Sequence, residues 1–343
     1  MRKRLFTVIL GIVCLFMVAS VLPVTTFAAD KTLRWRMPVL YPRGTAFTQI
    51  YHGFCEDVKV MSGGRLIIDD IYDGEGVPAT EIFSAVKSGL AEMGAPYMAL
   101  HAGELPAGII ELILPGGPSN FDELRSLFSN KEWIETLEKA YAKHGVYRLG
   151  EYFQGDTYML TKKPIKSLDD LKKKKFRAPA AYGKMMRHLG ASPVVTAFSE
   201  VYTSLATGVV DGIAGNPFVD LRDGKWFEVA KYLYPLTITG TQVAPIIVNM
   251  ERWNKLPDDL KAILKVACYK TGGIMRVNTL LWGKDAYAEM VKAGVKWSPQ
   301  PSQADVKRWN EAAQSVWPEY AAKDEYSKKL ISIQDTLLKK MRY

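Results

Sequence analysis

Apolar positions change their period several times along this chain, and each change marks an element. Leu33-Arg34-Trp35-Arg36-Met37 alternates and runs into Pro38, the pattern of a strand with one buried face. From Gly44 to Met61 the residues Phe47, Ile50, Phe54, Val58 and Met61 recur every three or four positions, which predicts a helix closed by Ser62-Gly63-Gly64. Arg65 to Ile71 predicts a second strand, and Thr80 to Leu90 a second helix. The same grammar resumes after residue 155. Ser167 caps a short helix, Phe176-Arg177-Ala178 reads as a strand, and Ala180 to Leu189 is a helix stopped by Gly190. Ser199 to Thr207 predicts another helix and Val209 to Ala214 another strand. Strands alternating with helices predict an α/β fold with parallel sheets covered on both faces. Past Pro257 the pattern turns helical to about Ala293, interrupted only by Gly272-Gly273 and Gly283. Such a helix spans ~50 Å at 1.5 Å per residue, longer than one domain, so it is expected to run along two.

At 343 residues the chain has room for two ordinary domains. Its 48% hydrophobic and 24% charged residues are those of a globular protein. The first residues stand apart. Arg2, Lys3 and Arg4 precede an apolar run from Leu5 to Val24, and Thr26-Phe27-Ala28 offers a small-x-small cleavage site. That is the pattern of a secretory signal peptide over 1–28, with an uncleaved membrane anchor as the alternative. Its removal takes three positive charges and no acid, so the formal charge of +9 drops by three to +6. Cys55 and Cys268 remain, far apart on two apolar-patterned segments, and read as buried free thiols rather than a disulfide framework.

Lys172 to Lys175 form a run of four lysines directly before Phe176-Arg177-Ala178. The lysines read as the solvated end of the helix opened by Ser167, where cations complement the dipole, and not as a nucleic-acid patch. Arg177 differs. Strand side chains alternate, so it points opposite to its apolar neighbours, near the carboxyl end of a parallel strand. Open α/β sheets bind ligands there. Asn216 occupies the equivalent place after the next strand, and Phe198 precedes a helix start without a matching staple partner. The competing reading of Arg177 is a structural ion pair with a nearby carboxylate.

KFRAP at 175–179, followed by VTAFSEVYTSLATGVVDGIAGNP from Val195, resembles the substrate-binding proteins of TRAP transporters (tripartite ATP-independent periplasmic transporters). LTKKPIKSLDDLKKKKFRAP, SGGRLIIDDIYDGEG and the long late helix extend the likeness over most of the chain. The resemblance implies a two-lobed periplasmic binding protein fold with a long helix spanning both lobes. Lobe I would be 29–154 plus about 242–275, and lobe II 155–241 plus about 276–343 with the C-terminal helices. It implies a periplasmic protein that holds a small organic anion, a carboxylate by expectation, and passes it to integral-membrane permease subunits, with no catalysis and no cofactor. Arg177 would take the carboxylate, Asn216 would bond the same group, and Phe198 would wall the pocket. Tyr41, after the first strand, and Tyr97, in APYMAL, are further carry-overs. The family often places a second arginine some twenty residues before the first. Here that stretch reads Gln154-Gly155-Asp156-Thr157-Tyr158, which argues against ligands needing two cationic clamps and makes Gln154 the candidate polar contact. GGPSNFDEL also departs from the usual Phe-Pro-Phe-rich connection.

Other constellations lead less far. Gly74-Glu75-Gly76-Val77-Pro78-Ala79 has the outline of a dinucleotide turn, but it follows a second strand and carries Pro78, as a plain loop would. His52 and Cys55 share a helix face, with the cysteine in the apolar stripe. His101, His144 and His188 are scattered, and no P-loop, H-E-x-x-H or G-x-S-x-G is present. Two other classes stay open from the residues alone: a secreted lyase or hydrolase on a small acid, and the binding module of a sensor. The signal reading has a direct check. Intact-mass measurement of the exported protein should find a chain beginning near Ala29, whereas a mass retaining residues 1–28 would mean an anchor.

Overall fold

The computed structural model describes residues 32–342, so the expected signal segment lies outside the described residues. Its strands are Leu33–Val39 (β1), Leu66–Tyr72 (β2), Met93–Gly94 (β3), Val146–Thr161 (β4), Lys175–Arg177 (β5), Ser192–Val194 (β6), Gly212–Asn216 (β7), Tyr232–Leu233 (β8), Thr239–Asn249 (β9) and Lys296–Trp297 (β10). The helices of the first half are Ala46–Met61 (α1), Ile82–Ser88 (α2), Pro106–Glu111 (α3), Phe121–Phe128 (α4) and Lys131–Ala142 (α5). Then come Ala180–His188 (α6), Val201–Ala206 (α7), Phe218–Asp223 (α8), Met250–Lys255 (α9), Asp258–Lys292 (α10), Gln303–Ala321 (α11) and Glu325–Arg342 (α12).

Two long strands tie the fold together. β9 runs antiparallel along β4, from Val146 opposite Asn249 to Thr157 opposite Thr239. β9 also takes β3 on its other edge, and Val39 at the end of β1 bridges to Ala95 just beyond β3. β1 and β2 pair in parallel. The last residues of β4 change partner, pairing with β7 and β8, and β7, β5 and β6 lie side by side in parallel. Strand side chains alternate, so this central ladder feeds two cores: Tyr152, Ile246 and Val248 enter one, Phe153 and Ile247 the other.

Several elements depart from the pattern reading for physical reasons. β1 continues through Pro38, which has no N–H to give but whose carbonyl accepts from Ala95 N at 2.9 Å. The predicted strand at 209–214 sits at Gly212–Asn216, which puts Asn216 inside it, at its carboxyl end. Phe198 begins a 3₁₀ turn that leads into α7. Ser167 does form a capping box, with Asp170, but on a 3₁₀ turn over Leu168–Leu171. The lysines therefore do not close a helix; they make an exposed corner, with Lys173 at φ 64° and Lys172 paired to Asp169 at 3.0 Å. Cys55 and Cys268 are free and buried, as the apolar stripe implied.

α10 has 35 residues, or about 52 Å of axis. Its buried stripe, Leu260, Leu264, Cys268, Gly272, Met275, Thr279, Ala286 and Met290, holds to one side for its whole length. It lies close on β4 because two glycines remove side chains between them. A Cβ on Gly272 would come 2.8 Å from Glu151 O, and one on Gly150 would come 2.6 Å from Cys268 Sγ. Thr279 Oγ1 then donates to Phe153 O at 3.1 Å. α12 folds back onto α4 and α5, with Arg342 paired to Glu123 at 2.8 Å and Lys329 to Glu132 at 2.9 Å.

Adjacent glycines in α10 supply a matched test. Gly273 faces open space, so Gly273→Ala should stabilise by ~0.5–1 kcal/mol through helix propensity alone. Gly272→Ala gains the same propensity but pushes into backbone, and should destabilise by about 1–3 kcal/mol. Urea unfolding of both variants measures the difference; equal effects would show that α10 does not depend on this contact.

Candidate functional site

The carboxyl ends of the parallel strands meet on one cavity. Arg177 is the last residue of β5 and Asn216 the last of β7, and Phe198 follows β6. These three line a small cavity of about 20 Å³ together with Leu40, Tyr41, Ala79, Tyr97, Leu100, Asp220 and Gln242. The wall opposite Arg177 thus comes from the ends of β1 and β3 and from β9. Five of the six residues expected from sequence converge here. Gln154 does not line it; it stands behind Tyr41, donating from Nε2 to Tyr41 Oη at 3.0 Å, while its own Oε1 is buried without a partner among the described residues.

Arg177 is 3% exposed, and burial pulls its basicity down. Nη1 donates to Asn216 Oδ1 at 2.9 Å, and Nε and Nη2 both donate to Thr196 O, at 3.4 and 3.2 Å. A guanidinium has five N–H groups, so two, one on each terminal nitrogen, are left for a ligand. Asn216 passes the contact on: its Nδ2 donates to Asp220 Oδ2 at 2.7 Å. Burial raises the Asp220 carboxyl to about 7, against the opposing hydrogen bond from Asn216 and the charge of Arg177. Tyr97 is pushed up to about 12 by burial, and the nearby Arg177 holds it back. Gln242 Nε2 bonds Tyr97 Oη at 2.8 Å and Tyr182 Oη at 3.2 Å. Phe198 meets Tyr41 edge-on at 5.6 Å and packs on Trp226 at 4.7 Å.

Two hydrogen bonds bridge the two walls beside the cavity. Asp223 Oδ2 accepts from Ala46 N at 2.6 Å, at the first turn of α1, where an anion is favoured by the open N–H groups. Asp223 is itself paired to Arg222 at 2.7 Å. Ser199 Oγ donates to Asp73 Oδ2 at 3.2 Å.

Asp220 and Gln242 were missed from the sequence. Asp220 lies one helical turn after Asn216, in the first turn of α8, where an acid reads as an ordinary dipole partner. Gln242 ends the polar lead Thr239-Gly240-Thr241-Gln242 before the apolar run Val243 to Val248, and nothing local sets it apart. The other candidates resolve into structural roles. Glu75 of the Gly74–Ala79 loop pairs with Arg43 at 2.5 Å. His52 pairs with Asp70 at 3.2 Å, and burial pushes the Cys55 thiol up, away from the thiolate. A larger groove of about 910 Å³ runs beside α10 and β4, past Tyr147, Arg148, Glu151 and Tyr269. Arg148 within it is already paired, to Glu111 at 2.6 Å and to Glu151 at 2.8 Å. A buried guanidinium with N–H groups unspent, not volume, singles out the smaller cavity.

Parallel strands ending on a charged cavity, faced by a second sheet and crossed by one long helix, define a two-lobed α/β solute-binding protein. The chain belongs to the bacterial extracellular solute-binding proteins of family 7, the TRAP substrate-binding proteins, whose family model matches residues 40–324. It is similar to a monocarboxylate 2-oxoacid-binding periplasmic protein of a Nostoc species, at 26% identity over 307 residues, or 87% of this chain and 82% of the relative. Among solved structures it resembles a TRAP periplasmic solute binding protein from Pseudoalteromonas atlantica with bound sodium and pyruvate. That likeness has a TM-score of 0.84 at 26% identity and covers 91% of this chain and 95% of the other. A marine metagenome TRAP protein with co-purified pyroglutamate shares the fold, at a TM-score of 0.81 and 21% identity over 89% of this chain and 99% of the other. The family and the two-lobed α/β fold expected from KFRAP and the FSEVY block are thereby established.

The raised Asp220 carboxyl has a consequence for stability. Its unfolded value is ~4, so between there and about 7 the folded chain holds the extra proton. Wild-type stability therefore falls as pH rises through that window, and the loss is complete above it. Asp220→Asn removes this slope. Its melting temperature relative to wild type should climb by several degrees from about pH 4 to about pH 8. A difference that stays flat over that range would mean Asp220 ionises as an ordinary carboxylate.

Proposed function

We propose that this chain captures a small monocarboxylate in the cavity at Arg177 and delivers it to the integral-membrane permease subunits of a TRAP transporter. The carrying observation is the buried Arg177 guanidinium, fixed by Asn216 and Thr196 yet with two N–H groups unspent. A carboxylate accepts such a fork bidentately, and the guanidinium keeps its charge out of water. One arginine with one free fork suits one carboxylate. The Nostoc relative, named for monocarboxylate 2-oxoacids, and the pyruvate held by the Pseudoalteromonas protein support that size and charge.

In this reading Arg177, Asn216 and Phe198 act from lobe II, and Tyr41 and Tyr97 from lobe I, with Gln154 bracing Tyr41. The lobes are 29–154 plus about 242–275, and 155–241 plus about 276–343, although α12 packs back on α4 and α5 of the first. β4, β9 and α10 cross between them. No chemistry is done on the ligand. It bridges both walls, and its greater affinity for the closed arrangement shifts the equilibrium towards closure. Export with residues 1–28 removed places the protein in the periplasm.

The test separates Arg177 from the lysines before it. Mass spectrometry of denatured protein identifies any acid retained through purification, and calorimetry with that acid, or with pyruvate and lactate where none is retained, follows. Arg177→Lys keeps the charge and loses the fork, so affinity should fall at least ~10-fold. Changing Lys172 to Lys175 together to Gln should leave affinity within about three-fold, because exposed charges are screened. The opposite pattern would overturn the site.

A further inference from the structure

We propose that Asp220 selects the ligand: the acid this site takes carries an N–H or O–H next to its carboxylate and turns that donor to the Asp220 carboxylate while Arg177 holds the other end. The inference rests on the reading of the cavity as a carboxylate site.

The geometry comes from Asn216, whose side-chain amide touches both charges. Its oxygen takes the Arg177 hydrogen bond at 2.9 Å and its nitrogen gives one to Asp220 at 2.7 Å. Arg177 and Asp220 are thus held at the two ends of a single amide, close enough for one small molecule to meet both. Both line the same cavity, and Asp220 is 3% exposed. Its surroundings are arranged to give it hydrogen bonds. Tyr41 Oη, which accepts from Gln154 Nε2, stands beside Asp220 and favours its charged form. A carboxylate has about four acceptor positions, and Asn216 uses one. What remains towards the cavity is acceptor capacity with no donor supplied by the protein.

Charge leads to the same ligand. Above about pH 7, where Asp220 is ionised, the cavity holds one guanidinium and one carboxylate and is already balanced. A monoanion without a donor would set a second carboxylate and its neighbouring lone pairs against Asp220, at short range and away from water. An N–H or O–H beside the ligand carboxylate turns that repulsion into a charge-assisted hydrogen bond. A 2-hydroxy acid and a lactam acid meet the requirement; a 2-oxo acid and a lactone acid of the same shape do not. Discrimination of this kind is strong because the wrong ligand leaves a buried acceptor facing another acceptor.

Matched pairs test it on the full mature chain at about pH 8, where Asp220 is ionised: L-lactate against pyruvate, and L-pyroglutamate against its ring-oxygen lactone isostere. Calorimetry should show the donor-bearing member of a pair binding wild type at least ~10-fold tighter than its partner. Asp220→Asn should shrink that ratio to about three-fold or less, mainly by weakening the donor-bearing member. Equal binding within the pairs, or tighter binding of pyruvate or the lactone, overturns the role of Asp220 and leaves the carboxylate site standing. An unchanged ratio in a folded Asp220→Asn protein also overturns it. If no member of either pair binds wild type, the carboxylate reading fails and this inference goes with it. The wild-type ratio needs no variant, so poor folding of Asp220→Asn cannot hide the answer.

Discussion

The close packing of α10 on β4 is the contact around which the rest of this fold is arranged. The strand is the one element that pairs with β9 along most of its length and then with β7 and β8 at its end. The helix follows it with one buried stripe. Gly150 and Gly272 bring the two backbones together at distances no side chain would allow. Packed surfaces of this kind resist sliding, because interiors are close-packed and have no slack. The two walls of the cavity are therefore tied to one spine, built from β4, β9 and α10.

Against that spine the site solves a problem of buried charge. Arg177 leaves water almost entirely, which is costly unless its donors find acceptors. Thr196 O and Asn216 Oδ1 provide them, and Asp220 supplies countercharge through the same asparagine. The arrangement stops short of full satisfaction. Two guanidinium N–H groups and part of the Asp220 carboxylate stay uncommitted, and this is the form a binding site takes when the ligand must complete the network. The ion-pair reading of Arg177 and its ligand reading thus coexist. The acid is present, but it lies across an amide and not in a fork with the arginine.

Much of the architecture was legible in the chain itself. The parallel pairing of β1 with β2 and of β5 with β6 and β7, the length of α10 and its start after Pro257, and the placement of Arg177 at a strand end followed from local periodicity and proline and glycine punctuation, whereas the long antiparallel pair β4–β9 was not foreseen. Those signals are strong because each element must bury one face whatever it packs against. Element ends were less legible. The strand holding Asn216 began three residues later than its apolar run suggested, since Val209 and Val210 complete the turn after α7 before pairing starts. The lysine corner turned on Lys173 in a left-handed conformation, which no composition rule announces.

Within the site, sequence determined which residue types stood at strand ends: an arginine after Phe176, an asparagine before Pro217, an aromatic at 198 and tyrosines at 41 and 97. It could not assign Asp220 or Gln242, because an acid in a first helical turn and a polar residue leading into an apolar run each have an ordinary local explanation. Nor could it say that Gln154 braces Tyr41 from behind and does not face the cavity. Those facts depend on which surfaces meet across more than a hundred residues of chain, as the Gln154–Tyr41 and Gln242–Tyr97 bonds do. Local pattern fixes the face a side chain presents; only the docking of one sheet against another decides what that face finds there.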